Sequence, residues 1–368
     1  MSSRILLKAD QRDWGDWRWQ LKNRFTGLSG LKALEAYPPD AEDAYERLIR
    51  KYHFAASPYY LSLIDWDDPT DPIRRQVIPD LAELESDASC STEDPFLEEE
   101  HSPVPGLIHR YRDRVLLLTT TLCAAYCRHC NRKRLWRKKA ESALTGRYIM
   151  EGAMDYIKIH GEIREVILSG GDPLLLGESV LDALLQGLRK IPHVEVIRIG
   201  TRVPVTLPMR IDLSLVTMLT RHRPIWINTH FNHPREITPE AQSAVERLIT
   251  SGIPVCNQCV LLKGVNDDIH ILKALFTGLQ RICVKPYYLF HCDPVKGTDH
   301  FRTDLSKGMA IMEGLWGEIG GVCMPNYVVD LPQAGGKALL MPNHLLSMDG
   351  GEAVFRTQDG RILIYPFP

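Results

Sequence analysis

Three cysteines, Cys123, Cys127 and Cys130, stand in Leu-Cys-Ala-Ala-Tyr-Cys-Arg-His-Cys, directly after the apolar, β-rich run at 114–121. Thiolates spaced Cys-x3-Cys-x2-Cys, with no fourth cysteine close by, can hold three irons of a four-iron cluster. The fourth iron then stays open, and a ligand binding there makes the cluster a reaction centre as well as an electron carrier. Two plainer chemistries fit the same residues. His129 could complete a zinc site, or the three cysteines could share one apolar helix face, since i, i+4 and i+7 align there. Tyr126, Arg128 and His129 are poor company for an apolar face, so zinc is the stronger of these two.

A second candidate is Lys337, directly after Gly335-Gly336. A loop lysine in that setting suits a Schiff base to pyridoxal phosphate once its ammonium is persuaded to release a proton; a solvated surface lysine is the commoner fate. A phosphate partner is at hand in His109-Arg-Tyr-Arg-Asp-Arg114. Arg110 and Arg114 can fork onto phosphate oxygens, and Tyr111 can stack on a pyridine ring. The basic run Arg128 to Lys139, with Trp136 interleaved, also has the composition of a zinc-stapled RNA-binding element. A net charge of −2 over 368 residues argues against that and against a general nucleic-acid or membrane role.

The elements that must position these residues form a regular series. Candidate strands at 114–121, 165–169, 194–199, 225–229, 254–260 and 283–290 alternate with helical patterns near 146–160, 177–190, 211–222, 238–251, 268–281 and 304–318. Six βα units in series imply a parallel sheet with right-handed crossovers. Six are too few to close an eight-stranded barrel, so the expectation is an α/β fold, an open partial (β/α)6 barrel over 106–320. Residues 1–105 read as an N-terminal helical region, and 321–368 as a short C-terminal α+β tail with strands at 327–329 and 362–365. In such a barrel the site lies at the C-terminal strand ends. Polar residues and glycines sit there in succession: Ser169-Gly170-Gly171-Asp172, Gly200-Thr201-Arg202, Asn228 to His233 with His230, Asn257-Gln258, and His291-Cys292-Asp293. A glycine pair followed by an acid lets the backbone approach a ligand closely while carbonyls or the carboxylate meet an ammonium.

Apolar content of 44% allows a sizeable core, no run approaches a membrane span, and nine cysteines without a secretory signal suggest reduced thiols in the cytoplasm.

Taken together, these residues resemble the lysine 2,3-aminomutase family, a pyridoxal-phosphate-dependent branch of the radical S-adenosylmethionine (SAM) enzymes. The resemblance runs from Asp16-Trp-Arg-Trp-Gln-Leu21 through Ser57 to Asp65 and Ser102-Pro-Val-Pro-Gly-Leu107 to Lys337 and Met341-Pro-Asn343, nearly the whole chain. It implies a radical SAM barrel and an isomerase that interconverts L-lysine and L-β-lysine by 1,2-amino migration. A 5′-deoxyadenosyl radical from SAM would initiate that migration. It implies a [4Fe-4S] cluster on Cys123, Cys127 and Cys130, with SAM at Ser169 to Asp172 and with Arg202, His230 and Gln258 counted among the cofactor-binding residues. Lys337 is implied as the pyridoxal phosphate lysine, with Arg110, Tyr111 and Arg114 in its site. Arg132 would bind the substrate carboxylate, and Asp293 with Asp330 the distal ammonium. A reducing electron donor such as flavodoxin or ferredoxin is implied as partner.

Two features depart from the family pattern. No cysteine follows Cys323, and Asp268 stands where a further zinc ligand is expected, so no structural zinc is expected. The tail strand 362–368 is expected to pack on the protein as an apolar edge, with a homo-oligomer left open. Gln333-Ala334 replaces glycines before Lys337. A β-lysine-forming branch acting on an elongation factor, and an arginine 2,3-aminomutase, are the nearest rival functions.

Overall fold

The computed structural model describes residues 10–85, 91–137, 147–357 and 359–368. Its main sheet has nine strands in the order β9-β8-β7-β6-β5-β4-β3-β2-β1. These are β1 (Leu107–Tyr111), β2 (Arg114–Thr120), β3 (Glu165–Gly170), β4 (Val196–Gly200), β5 (Ile225–Thr229), β6 (Val255–Leu261), β7 (Lys285–His291), β8 (Asn326–Leu331) and β9 (Gly336–Leu339). Strands β2 to β8 pair parallel in series, while β1 and β9 add antiparallel edges. The strand at Asn326–Leu331, within the stretch that the sequence reading gives to the tail, is therefore a seventh parallel strand of the barrel sheet.

Side-chain alternation decides which face is which. Val115, Leu117, Val166, Leu168, Ile197, Ile199, Ile225 and Ile227 are buried in one core cluster with the helices. The opposite face carries Arg114, Glu165 and Arg198, half-buried, with Arg198 paired to Glu165 across the sheet. The barrel interior therefore carries charges beside Leu116 and Ile167.

The crossovers are α1 (Arg147–Ile159), α2 (Glu178–Arg189), α3 (Leu213–Thr220), α4 (Pro239–Thr250), α5 (Ile269–Arg281) and α6 (Leu305–Leu315). Each packs an apolar stripe on the sheet. In α2 it is Leu181, Leu184, Leu185 and Leu188, the i, i+3, i+4, i+7 spacing of one helix face. Local chemistry sets the starts: Thr238 accepts from Ala241 N before α4, and Asp268 accepts from His270 N and Ile271 N before α5. Asp268 is thus a helix cap.

The N-terminal region folds into short helices that dock on the barrel. Ser57 Oγ donates to Thr206 O at 2.7 Å, and Tyr59 Oη lies 2.6 Å from Thr238 Oγ1. Beyond β9, β10 (Leu345–Asp349), β11 (Glu352–Arg356) and β12 (Ile362–Pro366) form a separate antiparallel sheet. The expected apolar packing of this tail is not found: Ile362, Leu363, Ile364 and Tyr365 are all exposed, because β12 pairs with β11 and meets no core.

One close approach ties the sheet to the cysteine loop. Gly171 N donates to Thr120 O at 2.5 Å and Asp172 N to Leu122 O at 2.7 Å. A Cβ on Gly171 would lie 2.7 Å from Leu122 N, and Gly170 takes φ +112° beneath Thr120 O. Both positions demand glycine. Gly171→Ala should therefore cost about 2–3 kcal/mol through forced overpacking, read as a lower urea midpoint, whereas Gly177→Ala, with open space around its Cβ, should shift it far less.

Candidate active site

The three cysteines follow β2 on a loop held from both sides. Tyr126 N donates to Ala55 O, and Arg128 N donates to Gln76 O at 2.8 Å. Burial, then the charges of Asp172 and the other two cysteines, pushes the Cys123 thiol up; burial and Cys127 push Cys130 up to about 11. Thiolates at Cys123 and Cys130 would call for a cationic partner. Donors already face two of the three sulfurs: Arg202 Nη1 lies 2.7 Å from Cys127 Sγ, and Arg132 N 3.4 Å from Cys130 Sγ. Among the described residues no three His, Cys, Asp or Glu side chains converge on a single-ion site. A cluster does not require that, because each cysteine binds a different iron.

The basic run within this loop is turned inward. Arg128, fully buried, places Nε and Nη2 on Glu83 at 2.8 and 2.6 Å, and Lys133 Nζ reaches the same carboxylate at 2.8 Å. Arg132 and Arg134 share Glu98, both at 2.6–2.7 Å. Burial alone would raise these two carboxyls, yet the paired cations hold both Glu83 and Glu98 at about 2. Of the basic run that suggested an RNA-binding element, Arg128, Arg132, Lys133 and Arg134 are paired internally, and Lys138 and Lys139 lie outside the described residues.

At the end of β3, the Asp172 carboxylate is saturated. Oδ1 accepts from Thr201 Oγ1 at 2.6 Å and Leu174 N at 3.2 Å; Oδ2 accepts from Arg202 N at 2.7 Å and Val203 N at 3.1 Å. It joins the ends of β3 and β4, which leaves the backbone carbonyls of the Ser169–Gly171 turn, not the carboxylate, to meet an incoming ammonium. His230 is half-buried, and desolvation together with Arg202 lowers it to about 4, so it is a neutral ring. Gln258, on β6, faces the same side of the sheet as Cys256 and is half-buried.

Lys337 is the second residue of β9, opposite Asp330 of β8 in the antiparallel register. Its Nζ lies 3.3 Å from Asp330 Oδ2 and 5.6 and 5.7 Å from the rings of Tyr111 and Phe290. Arg110 reaches Asp330 Oδ1 at 3.3 Å. These contacts bring the two edges of the open sheet together. Arg114 pairs with Asp113 at 2.7 Å and lies 4.0 Å from the Tyr111 ring, with Arg110 5.9 Å from the same ring, so the two guanidiniums flank Tyr111. Among the described residues, buried Arg110 Nε and Tyr111 Oη have no hydrogen-bond partner, as groups awaiting a polar ligand would. The turn before Lys337 takes φ +54° at Gln333 and +58° at Ala334, and Gln333 N is anchored to Pro95 O. Where glycine would sit without strain, this chain holds two side chains in the left-handed region.

Asp293 stands after β7, with Asn131 Nδ2 3.2 Å from its Oδ2. Burial and the nearby Asp330 charge raise its carboxyl to about 7. Arg132 has Nε and Nη2 occupied by Glu98 and turns Nη1 toward Ser169 Oγ at 3.3 Å. It offers one edge, not a free fork. The residues that the sequence reading missed are Glu83, Glu98, Asn131, Phe290, and Tyr60, Gln76 and Glu236 around Arg202. Only Glu98 had a signal, as one acid in an acidic stretch.

The chain is similar to known proteins over its length. Residues 117–275 match the model of the radical SAM superfamily, and 312–368 that of lysine-2,3-aminomutase. An L-lysine 2,3-aminomutase of Acetoanaerobium sticklandii is 46% identical over 368 residues, 100% of this chain and 88% of that protein. That of Clostridium subterminale is 47% identical, covering 99% and 87%. A glutamate 2,3-aminomutase of Clostridioides difficile is 40% identical, covering 97% and 84%.

The raised Asp293 carboxyl has a measurable consequence. It holds its proton to about 7 when folded but would release it near 3.8 unfolded. Folding therefore takes up a proton between these values, and the stability it contributes is lost as pH rises from about 4 through about 7. Asp293→Asn should flatten that part of the curve. Denaturation midpoints of the ligand-free protein at pH 5 and pH 8 check this: equal pH slopes in variant and parent would contradict it.

Proposed function

Because the chain belongs to the lysine 2,3-aminomutase family of radical SAM enzymes, we propose that it moves the α-amino group of L-lysine to the adjacent carbon, giving L-β-lysine. The observation that carries the substrate choice is the pair Asp293 and Asp330 beside Lys337. A buried ammonium is costly without counter-charges, and two carboxylates at one end with Arg132 at the other match a dibasic amino acid. A substrate with an acidic side chain would meet like charge there. That distinction matters because relatives acting on lysine and on glutamate are both similar to this chain.

The family implies a [4Fe-4S] cluster and SAM, and pyridoxal phosphate fits the second half of the site. When bound, the cluster with SAM supplies a hydrogen-abstracting radical, and pyridoxal phosphate supplies the π-system through which nitrogen migrates. The protein's own part is placement. Cys123, Cys127 and Cys130 would hold the cluster, and the Ser169–Gly171 turn would receive the methionyl ammonium on its carbonyls. Lys337 would carry pyridoxal phosphate, with Tyr111 and Phe290 bracketing it and Arg110 donating to it. In the ligand-free protein Asp330 holds the Lys337 ammonium. Asp330 would exchange that partner for the substrate's distal ammonium once Lys337 is engaged. Asp293, whose carboxyl is raised to about 7 without substrate, would be held ionised when that ammonium arrives. Ser169, close to both Arg132 and the glycine turn, sets the carboxylate end of the substrate beside SAM.

Two measurements test this reading. Borohydride reduction of the loaded protein followed by peptide mapping should place the pyridoxyl group on Lys337; label on Lys263 or Lys285 would refute it. In steady-state assays with lysine, arginine and glutamate, lysine should be preferred. Asp330→Ala and Asp293→Ala should each weaken lysine binding by about 2–5 kcal/mol while iron content survives. An unchanged KM for lysine in both variants would remove the clamp.

A further inference from the structure

Beneath the cysteine loop lies a buried polar network that substrate binding does not use. Arg202, at the end of β4, is 8% exposed, and its Nη2 lies 2.7 Å from Glu236 Oε1, 2.6 Å from Gln76 Oε1 and 3.0 Å from Tyr60 Oη. Its Nε donates to His230 O at 3.1 Å. Glu236 is itself fully buried and accepts from Tyr60 Oη at 2.8 Å, Gln76 Nε2 at 3.1 Å and, through Oε2, the backbone N of Asn232 and His233. One counter-charge with these hydrogen bonds is enough to settle a buried guanidinium. Yet Nη1 takes no part in that arrangement: its partner is Cys127 Sγ at 2.7 Å.

The geometry points to Arg202 as a positioning residue that sets the reduction potential of the cluster through Cys127, with Glu236, Tyr60 and Gln76 fixing its direction. The inference rests on the reading of Cys123, Cys127 and Cys130 as cluster ligands. Reduction adds one electron to the cluster, drawn from a low-potential donor, and moves no proton. A fixed cation with an N–H aimed at a ligand sulfur favours the more negative state, since hydrogen bonds to sulfur and local charge are levers on such potentials. Two of the three residues that aim Arg202, Tyr60 and Gln76, come from the N-terminal region. That region would then tune electron uptake as well as cover the barrel.

The test is an EPR-monitored dithionite titration of anaerobically reconstituted protein without SAM, with iron assayed on each sample. Arg202→Met/Glu236→Gln removes the donor and its counter-charge together. Arg202→Lys keeps the charge but lacks the fork that reaches Cys127 and Glu236 at once. The double variant should retain four irons and take up the electron at least tenfold less favourably, a potential about 59 mV lower. Arg202→Lys should show a loss of about threefold. Potentials within experimental error of the parent in both variants would overturn the inference. So would loss of iron from either variant with its circular dichroism unchanged, which would make Arg202 a builder of the loop. If the double variant does not fold, Arg202→Lys decides alone, and an unshifted potential there overturns the inference. Absence of iron from the parent protein would instead sink the underlying cluster reading.

Discussion

Arg128, Arg132, Lys133 and Arg134 lie on or just beyond the cysteine loop, and all four are turned into the protein. Burying them is tolerable only because two carboxylates meet them there, Glu83 for Arg128 and Lys133, Glu98 for Arg132 and Arg134. Each ion in such a pair would cost several kcal/mol to desolvate alone, and removing one partner typically costs about 3–5 kcal/mol. Both carboxylates precede the barrel in sequence. The N-terminal region is therefore the electrostatic complement of the loop that carries the cysteines. Without it Arg128, Lys133 and Arg134 would lose the carboxylates that they are paired with.

The second dependency is the seam. Nine strands in an open order leave two edges, and the sheet's own hydrogen bonds do not join them. What bridges the gap is polar: Arg110 on β1 meets Asp330 on β8, and Lys337 on β9 lies over Tyr111 on β1. The residues that draw the edges together are those proposed to hold pyridoxal phosphate and the substrate ammonium. Substrate entry would then rearrange the contacts of the seam, because Asp330 cannot serve Arg110, Lys337 and a new ammonium equally.

The glycine pair at the end of β3 connects the two halves. Gly170 and Gly171 press backbone against Thr120 and Leu122, so the turn expected to meet SAM is held in register with the loop expected to hold the cluster. Asp172, with its carboxylate spent on β4 backbone and Thr201, locks the same corner. Its position in the motif suggested a ligand. Four donors make it a brace, and the carbonyls beside it are what remain available.

The strands, the helical stripes, the cysteine triad and Lys337 were legible in sequence because each rests on local chemistry. Alternation, i to i+7 spacing, caps and a three-residue motif all operate over less than a dozen positions. Resemblance then supplied the family. Tertiary structure decided the partners. That Glu83 and Glu98 neutralise the loop depends on contacts 34 to 50 residues apart, which no local pattern encodes. The strand at 326–331 reads as part of a tail, yet pairing with β7 makes it barrel. The tail strand 362–366 reads as apolar packing and is left exposed, since apolar composition says what a strand can bury but not whether a surface is there to receive it. Arg202 shows the same division. Its place at a strand end came from spacing, but its aim at Cys127 came from Tyr60, Gln76 and Glu236, residues that only folding brings to one point.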